Sequence, residues 1–260
     1  MKNKIINIIK QKNKNKIVCL TAYSKNIASI LDKYCDIILV GDSLGSVLYN
    51  YKSTRQVTLN TMIEHSKSVR LGIKKSLMVV DMPYKTYKNR KEALHNAKKI
   101  IKETGCDAIK LEGGKKIINI IKHLIKNNVA IMGHVGLLPQ YEIGKFRFKG
   151  KITNTLERKK ILNDAISLDR AGVFSIVLEC VETSLAKEIT KKINIPTIGI
   201  GASSHCDGQI LVTDDLIGLN PIKAKFVKKY LNINRVIDKV VSKFKKDVKK
   251  ISFPTKKQSY

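Results

Sequence analysis

Ile37-Ile38-Leu39-Val40-Gly41-Asp42-Ser43-Leu44-Gly45 is the stretch on which the reading of this 260-residue chain turns. Four consecutive apolar residues make a run of strand length with no polar face, the pattern of a strand covered on both sides within a parallel sheet. The run breaks at a glycine and at once presents a carboxylate. An aspartate in that place also suits a turn or a helix N-cap. Asp42 therefore gains meaning only if other strands end in the same way.

Other segments repeat the arrangement. Residues 76–83 read as a strand ending on Asp81, with Pro83 blocking its extension. Residues 107–114 read as another, carrying Lys110 and Glu112 two positions apart and so on one face. Residues 129–136 close on His134, and residues 174–180 end in Glu179. Residues 16–23, 195–202 and 209–215 complete eight strands, the last expected to run out into Asp214 and Asp215. Helical spacing of apolar residues fills the intervals at 24–34, 59–71, 89–104, 115–126 and 183–192. A further helix is expected to open on a capping box of Asn154 and Glu157 and to close at Gly172. Residues 46–58 and 137–151 read as long loops.

Eight strands alternating with helices, with no linker or composition break, predict an α/β fold of the (β/α)8 TIM-barrel type as one catalytic domain over residues 1–260. A short helix over residues 2–10, with Ile5, Ile6, Ile8 and Ile9, is expected to cover one end. Val236, Ile237, Val240, Val241 and Phe244 mark an amphipathic helix near the C-terminus.

A net charge of +29 suggests a nucleic-acid or membrane binder. The lysines, however, are spread over nearly every predicted helix, aromatic residues do not interleave with them, and arginine is scarce. Enrichment in Lys, Ile and Asn with no Trp is the imprint of AT-biased coding. The expectation is no nucleic-acid partner. Five cysteines without Cys-x-x-Cys spacing read as reduced thiols. No apolar stretch reaches the ~20 residues of a membrane span. A cytoplasmic protein with no membrane partner is expected.

In a (β/α)8 barrel all strand C-termini open on one rim, where chemistry is placed. That rim receives Asp42, Ser43, Asp81, Lys110, Glu112, His134 and Glu179. Four carboxylates gathered there repel one another, and a lysine with a divalent cation is the natural compensation. Oxygen donors favour a hard ion, Mg²⁺ above all, which a 2-oxo acid chelates through its keto and carboxylate oxygens.

Gly41-Asp42-Ser43-Leu44-Gly45, Asp81-Met82-Pro83, Lys110-Leu111-Glu112-Gly113-Gly114, Gly133-His134 with Pro139-Gln140, Leu178-Glu179-Cys180, and Gly199-Ile200-Gly201-Ala202 with Asp207-Gly208-Gln209 together resemble the ketopantoate hydroxymethyltransferase family, in order from about Thr21 to Tyr230. The resemblance implies a barrel of the phosphoenolpyruvate/pyruvate type. It implies transfer of the one-carbon unit of 5,10-methylenetetrahydrofolate to 3-methyl-2-oxobutanoate, giving 2-dehydropantoate on the way to pantothenate and coenzyme A. Carried over residue by residue, it makes Asp42 and Asp81 ligands of Mg²⁺, with Glu112 completing or orienting the site. Glu179 becomes the base, with a pKa raised by burial among apolar strand ends. Asp42, Ser43, Asp81, Lys110 and His134 contact substrate, and a large homo-oligomer, commonly a homodecamer, is implied.

The chain departs from the family pattern at Ser24, where Asp is usual, at Asn50 and Lys52, at Arg55 and Gln56 in place of Leu-Pro, and at Ser203, where Gly is frequent. None of these removes a proposed ligand or the base, but the loop over residues 46–58 is expected to close differently on the folate. A related barrel lyase or mutase is the competing enzyme reading. It calls for a reactive cysteine in a flexible loop, a setting that Cys180 and Cys206 lack.

Overall fold

Side-chain parity explains how the apolar runs become a barrel. The computed structural model describes residues 2–142, 155–221 and 224–260, in two compact units, Met1–Val212 and Thr213–Tyr260. In the first unit, α1 (Lys2–Lys10) precedes β1 (Ile17–Thr21), α2 (Lys25–Leu31), β2 (Ile37–Val40), α3 (Leu44–Leu48), α4 (Leu59–Arg70), β3 (Leu77–Asp81), α5 (Arg90–Thr104) and β4 (Ala108–Glu112). There follow α6 (Ile118–Lys126), β5 (Ile131–Gly136), α7 (Thr155–Ala171), β6 (Ser175–Glu179), α8 (Thr183–Lys192), β7 (Thr197–Ile200) and β8 (Gly208–Leu211). The strands form a closed parallel barrel in sequence order, with β8 pairing back onto β1.

Along each strand one parity packs inside the barrel and the other against the helices. Ile37, Leu39, Leu77, Val79, Ala108, Met132 and Val177 share the interior cluster, while Ile38, Val40, Met78, Val80, Ile109 and Leu111 belong to the outer one. Continuing the inner parity toward the strand C-termini gives Asp81 after Val79, Lys110 and Glu112 after Ala108, His134 after Met132, and Glu179 after Val177. The apolar interior thus turns polar at the rim with no change of strand geometry. At the opposite end α1 acts as the plug expected of it. Ile8 is buried in the interior cluster with Ile17 and Ile37, and Lys4 Nζ donates to the Ser76 carbonyl at 2.8 Å.

Local signals explain the helix ends. Asn89 accepts from the Glu92 N–H at 2.9 Å and opens α5, and Gly105, in the left-handed region at φ 63°, closes it. The expected capping box at α7 lies partly outside the described residues, because Asn154 is not among them.

Two expectations are corrected. Residues 46–58 are not a plain polar loop: α3 starts inside the quoted stretch because Leu44 is fully buried, and a 3-10 turn over Thr54–Gln56 is capped by Ser53, which accepts from the Arg55 N–H. The eighth strand stops at Leu211, and Asp214 and Asp215 lie in the first turn of α9 (Thr213–Leu216), where acids complement the N-terminal end of a helix. That short helix belongs to the second unit. There the expected C-terminal amphipathic helix runs as α10 (Ile233–Lys249), with Val236, Ile237, Val240, Val241 and Phe244 all exposed. All eight strands lie within the first unit.

Candidate active site

The first half of the rim is built by β2, β3 and β4. Asp81 and Lys110 are paired in register, and Lys110 Nζ lies 2.8 Å from Asp81 Oδ1 with both side chains buried. The second oxygen of Asp81 accepts from the backbone N–H of Asp42 at 3.1 Å. Asp42 falls one residue past the inner parity of β2, and Gly41 makes room for it. A Cβ at Gly41 would stand 2.9 Å from Ser43 Oγ and 3.5 Å from Asp81 Oδ2. Ser43 Oγ is 2.8 Å from the Tyr23 hydroxyl, which ties the end of β2 to the end of β1.

The electrostatics are unbalanced. Burial, then the charges of Asp81 and Glu112, push the Asp42 carboxyl well above the usual carboxylate range, against Lys110 and a hydrogen bond from Gln140. Burial opposes the charge on Lys110, but Asp81, Glu112 and Asp42 outweigh it and raise its pKa further. Three buried carboxylates thus share one ammonium.

The second half joins β4, β5 and β6. Glu112 and His134 are register partners, as are Gly136 and Glu179. His134, fully enclosed, sits with Nδ1 3.6 Å from Glu112 Oε1 and Nε2 3.1 Å from Glu179 Oε2. Neither approach has hydrogen-bond alignment, so the attraction is one of charge. Burial and the Lys110 charge pull the imidazole down, yet the carboxylates of Glu112 and Glu179 prevail and push it up to about 9. The expectation surrounded Glu179 with apolar strand ends; the His134 imidazole also lies against it. The tip of β6 is held by Leu137, whose N–H donates to the Glu179 carbonyl at 2.8 Å. Gly136, at φ 97°, permits that approach, since a Cβ there would lie 2.3 Å from the same oxygen.

Sequence reasoning assigned no role to Gln140 or Tyr87. The 3-10 turn Pro139–Tyr141 brings the Gln140 amide beneath the rim. Its Nε2 donates to Asp42 Oδ2 at 2.8 Å and to the Met82 carbonyl at 2.9 Å, and its backbone N–H donates to Glu112 Oε2 at 3.0 Å. The buried Tyr87 hydroxyl donates to Gln140 Oε1 at 2.5 Å. A glutamine after Pro139 in a loop gives no chemical signal in one sequence; only the fold places it between two acids.

Among the described residues, no three His, Cys, Asp or Glu side chains converge as a ready-made metal cage. Asp42 and Asp81 are linked directly, whereas Glu112 is turned toward Gln140 and His134. Among the departures from the family pattern, Arg55 places its guanidinium 4.2 Å over the Tyr84 ring and donates to the Tyr84 hydroxyl. Ser203 accepts from the His205 N–H and, through its carbonyl, from Gln209. Ser24 precedes α2 without a side-chain cap, and Asn50 holds a positive φ of 53° after α3. Lys52 and Gln56 are exposed. Cys180 is buried, and burial with the Glu179 charge pushes its thiol up to about 12; burial also raises Cys206. Neither is an activated thiolate, which removes the group the lyase or mutase reading needs.

A (β/α)8 barrel that gathers buried acids, one lysine and one histidine at its C-terminal rim has the build of an enzyme acting on a small polar molecule. The family model described as ketopantoate hydroxymethyltransferase matches residues 2–256. A curated relative named 3-methyl-2-oxobutanoate hydroxymethyltransferase, from Pelagibacter ubique (strain HTCC1062), is 69% identical over 260 residues, covering 100% of both chains. One of the same name from Anaplasma marginale (strain Florida) is 45% identical over 258 residues, covering 98% of this chain and 92% of the relative. The chain belongs to the ketopantoate hydroxymethyltransferase family and is an enzyme of that class.

Solved structures extend the fold. Phosphonopyruvate hydrolase in complex with oxalate and Mg²⁺ matches with a TM-score of 0.63 at 11% identity, covering 98% of this chain and 93% of that one. A 2,3-dimethylmalate lyase of the PEP mutase/isocitrate lyase superfamily gives 0.62 at 10%, covering 99% and 88%. At these identities the likeness shows the barrel alone. No helix among the described residues is long and apolar enough to cross a membrane.

Proposed function

We propose that this barrel joins the methylene group of 5,10-methylenetetrahydrofolate to C3 of 3-methyl-2-oxobutanoate, forming 2-dehydropantoate for pantothenate synthesis. The observation that carries the reading is the approach of the Glu179 carboxylate to the His134 imidazole, 3.1 Å from Nε2, on the same rim as the Asp42–Asp81–Lys110 group.

The surplus negative charge fits a hard divalent cation, Mg²⁺ being the natural choice. Asp42 and Asp81 would hold it through carboxylate oxygens, with the oxo acid and water supplying the rest of its coordination. Of the two Asp42 oxygens, Oδ2 takes the Gln140 amide. Glu112, engaged by Gln140 and His134, suits the orienting role better than direct ligation. When bound, the ion supplies a Lewis acid that draws charge onto the keto oxygen and so acidifies the C3 proton.

The protein's own groups divide the remaining work. Lys110, held protonated by its carboxylate neighbours, balances the substrate carboxylate and the charge that develops on the keto oxygen. The Ser43 hydroxyl, oriented by Tyr23, binds the carboxylate end. Glu179 removes the proton from C3, and His134, with Nε2 3.1 Å from Glu179 Oε2, orients that carboxylate. Water adds to the methylene carbon, both of its bonds to folate nitrogens break, and tetrahydrofolate and formaldehyde result. The new C–C bond then forms as C3 attacks the formaldehyde carbon, and the formaldehyde oxygen takes up a proton to become the new hydroxyl.

The decisive assay is loss of deuterium from C3 of labelled 3-methyl-2-oxobutanoate in the presence of Mg²⁺ and without folate, which isolates proton removal from transfer. Wild type should exchange, and Glu179→Gln should slow exchange about 10²–10⁴-fold. A silent wild type, or undiminished exchange in Glu179→Gln, would sink the assigned roles.

A further inference from the structure

Gln140 uses every hydrogen-bonding group of its side-chain amide, and the pattern leaves one orientation. Both amide protons face acceptors, Asp42 Oδ2 at 2.8 Å and the Met82 carbonyl at 2.9 Å. The amide oxygen faces the Tyr87 hydroxyl at 2.5 Å. Turning the amide over would set its oxygen against a carboxylate and a carbonyl, so the network itself decides which atom is which. Burial, followed by the negative charge of Glu112, raises the Tyr87 pKa far above that of an ordinary phenol. The phenol therefore stays a donor. The backbone N–H of the same residue reaches Glu112 Oε2 at 3.0 Å, so one residue holds acids from the ends of two strands, β2 and β4.

We infer that Gln140 is a positioning residue for hydroxymethyl transfer. By occupying Oδ2 of Asp42 it presents Oδ1 to the ligands, and by holding Glu112 it keeps that carboxylate against His134, with Tyr87 locking the amide in place. The inference rests on the reading of Asp42 and Asp81 as the cation-binding pair and assigns what aims them. Groups that orient the ligands of a metal change its affinity about 10–100-fold when removed.

The test measures Mn²⁺ as a paramagnetic stand-in for Mg²⁺, counting free ion by electron paramagnetic resonance with the full chain and saturating 3-methyl-2-oxobutanoate. Gln140→Met keeps an unbranched side chain of similar length and deletes both donors. It should weaken Mn²⁺ at least about 10-fold and raise the Mg²⁺ needed for half-maximal C3 exchange to match, while exchange at saturating Mg²⁺ returns to within about threefold of wild type. A merely structural role would lower the exchange ceiling without moving the ion requirement. Tyr87→Phe removes only the hydroxyl that orients the amide and should weaken Mn²⁺ about 2–5-fold. A folded Gln140→Met, judged by circular dichroism, that binds Mn²⁺ within twofold of wild type overturns the inference. If Gln140→Met does not fold, unchanged Mn²⁺ affinity in Tyr87→Phe overturns it. Wild type that fails to bind Mn²⁺, or Asp42→Asn that binds it as wild type does, instead overturns the cation-pair reading and takes this inference with it.

Discussion

Both ends of the barrel bury aspartates, and their surroundings could hardly differ more. Ahead of the strands, Asp32 accepts from the backbone N–H groups of Lys74, Lys75 and Ser76, Asp36 from that of Val18, and Asp107 from that of Met78. Asp207 takes the backbone N–H groups of Asn13 and Thr197 and the Lys12 ammonium at 2.8 Å. At the rim after the strands, Asp42, Asp81 and Glu112 crowd around one lysine. The pKa directions follow. Burial raises Asp32 and Asp207, but the N–H groups, and for Asp207 first the Lys12 hydrogen bond, reverse the balance and lower both. Asp42, with acids for neighbours, is raised. A carboxylate surrounded by donors fastens the fold; one surrounded by carboxylates is raised by their charge and gains from any cation added beside it.

Substitutions at the two ends should separate these roles, and the largest effect is at the rim. Asp81→Ala should abolish formation of 2-dehydropantoate. It should also destabilise the fold by about 1–3 kcal/mol, because the buried Lys110 ammonium loses its close partner and the Asp42 N–H loses its acceptor. Product assay and urea denaturation measure the two losses. Full stability together with lost activity would mean that Lys110 finds another partner. At the opposite end Asp207→Asn should cost about 1–3 kcal/mol in the same denaturation experiment, by weakening hydrogen bonds to a charged group. C3 exchange below the unfolding transition should stay at the wild-type rate, and a loss of exchange there would break the division between the two ends.

The smallest effect is on acid stability. The folded pKa values of Asp32 and Asp207 are lowered, and an unfolded aspartate titrates near ~3.9. The unfolded chain therefore takes up protons first. The stabilisation is complete above that value and is lost as pH falls through it toward the lower folded values. The urea midpoint of wild type should drop between about pH 5 and pH 3, and Asp32→Asn/Asp207→Asn should show a shallower drop. Parallel slopes for the two proteins would remove these acids from the account of acid stability.

The rim acids could be read from the chain because each closes or directly follows an apolar run, at the inner parity of its strand for Asp81, Glu112 and Glu179 and one residue past it for Asp42. Leu77, Val79 and Asp81 lie on one face in sequence as they do in space, and so do Ala108, Lys110 and Glu112. Asp214 and Asp215 followed the same rule and failed it, because the strand stopped at Leu211 and a helix N-terminus claimed the acids. Gln140 and Tyr87 could not be found by any such rule. They sit in connections, and the side chains they hold are 98 and 53 residues away from Gln140 along the chain for Asp42 and Tyr87. His134 was legible as a polar strand end, but its charge was not, since that depends on Glu112 and Glu179 from the strands on either side.

By itself the sequence determined the barrel, its order and the acids, lysine and histidine delivered to one rim, because period-two alternation and strand endings are local properties of the chain. The tertiary structure alone decided which carboxylates meet donors and which meet one another. It set the ionisation of His134, the pairing of Asp81 with Lys110 and the placement of Gln140 between Asp42 and Glu112. Charge and hydrogen bonding act through space over a few ångströms, and only closure of the barrel brings those residues within that range.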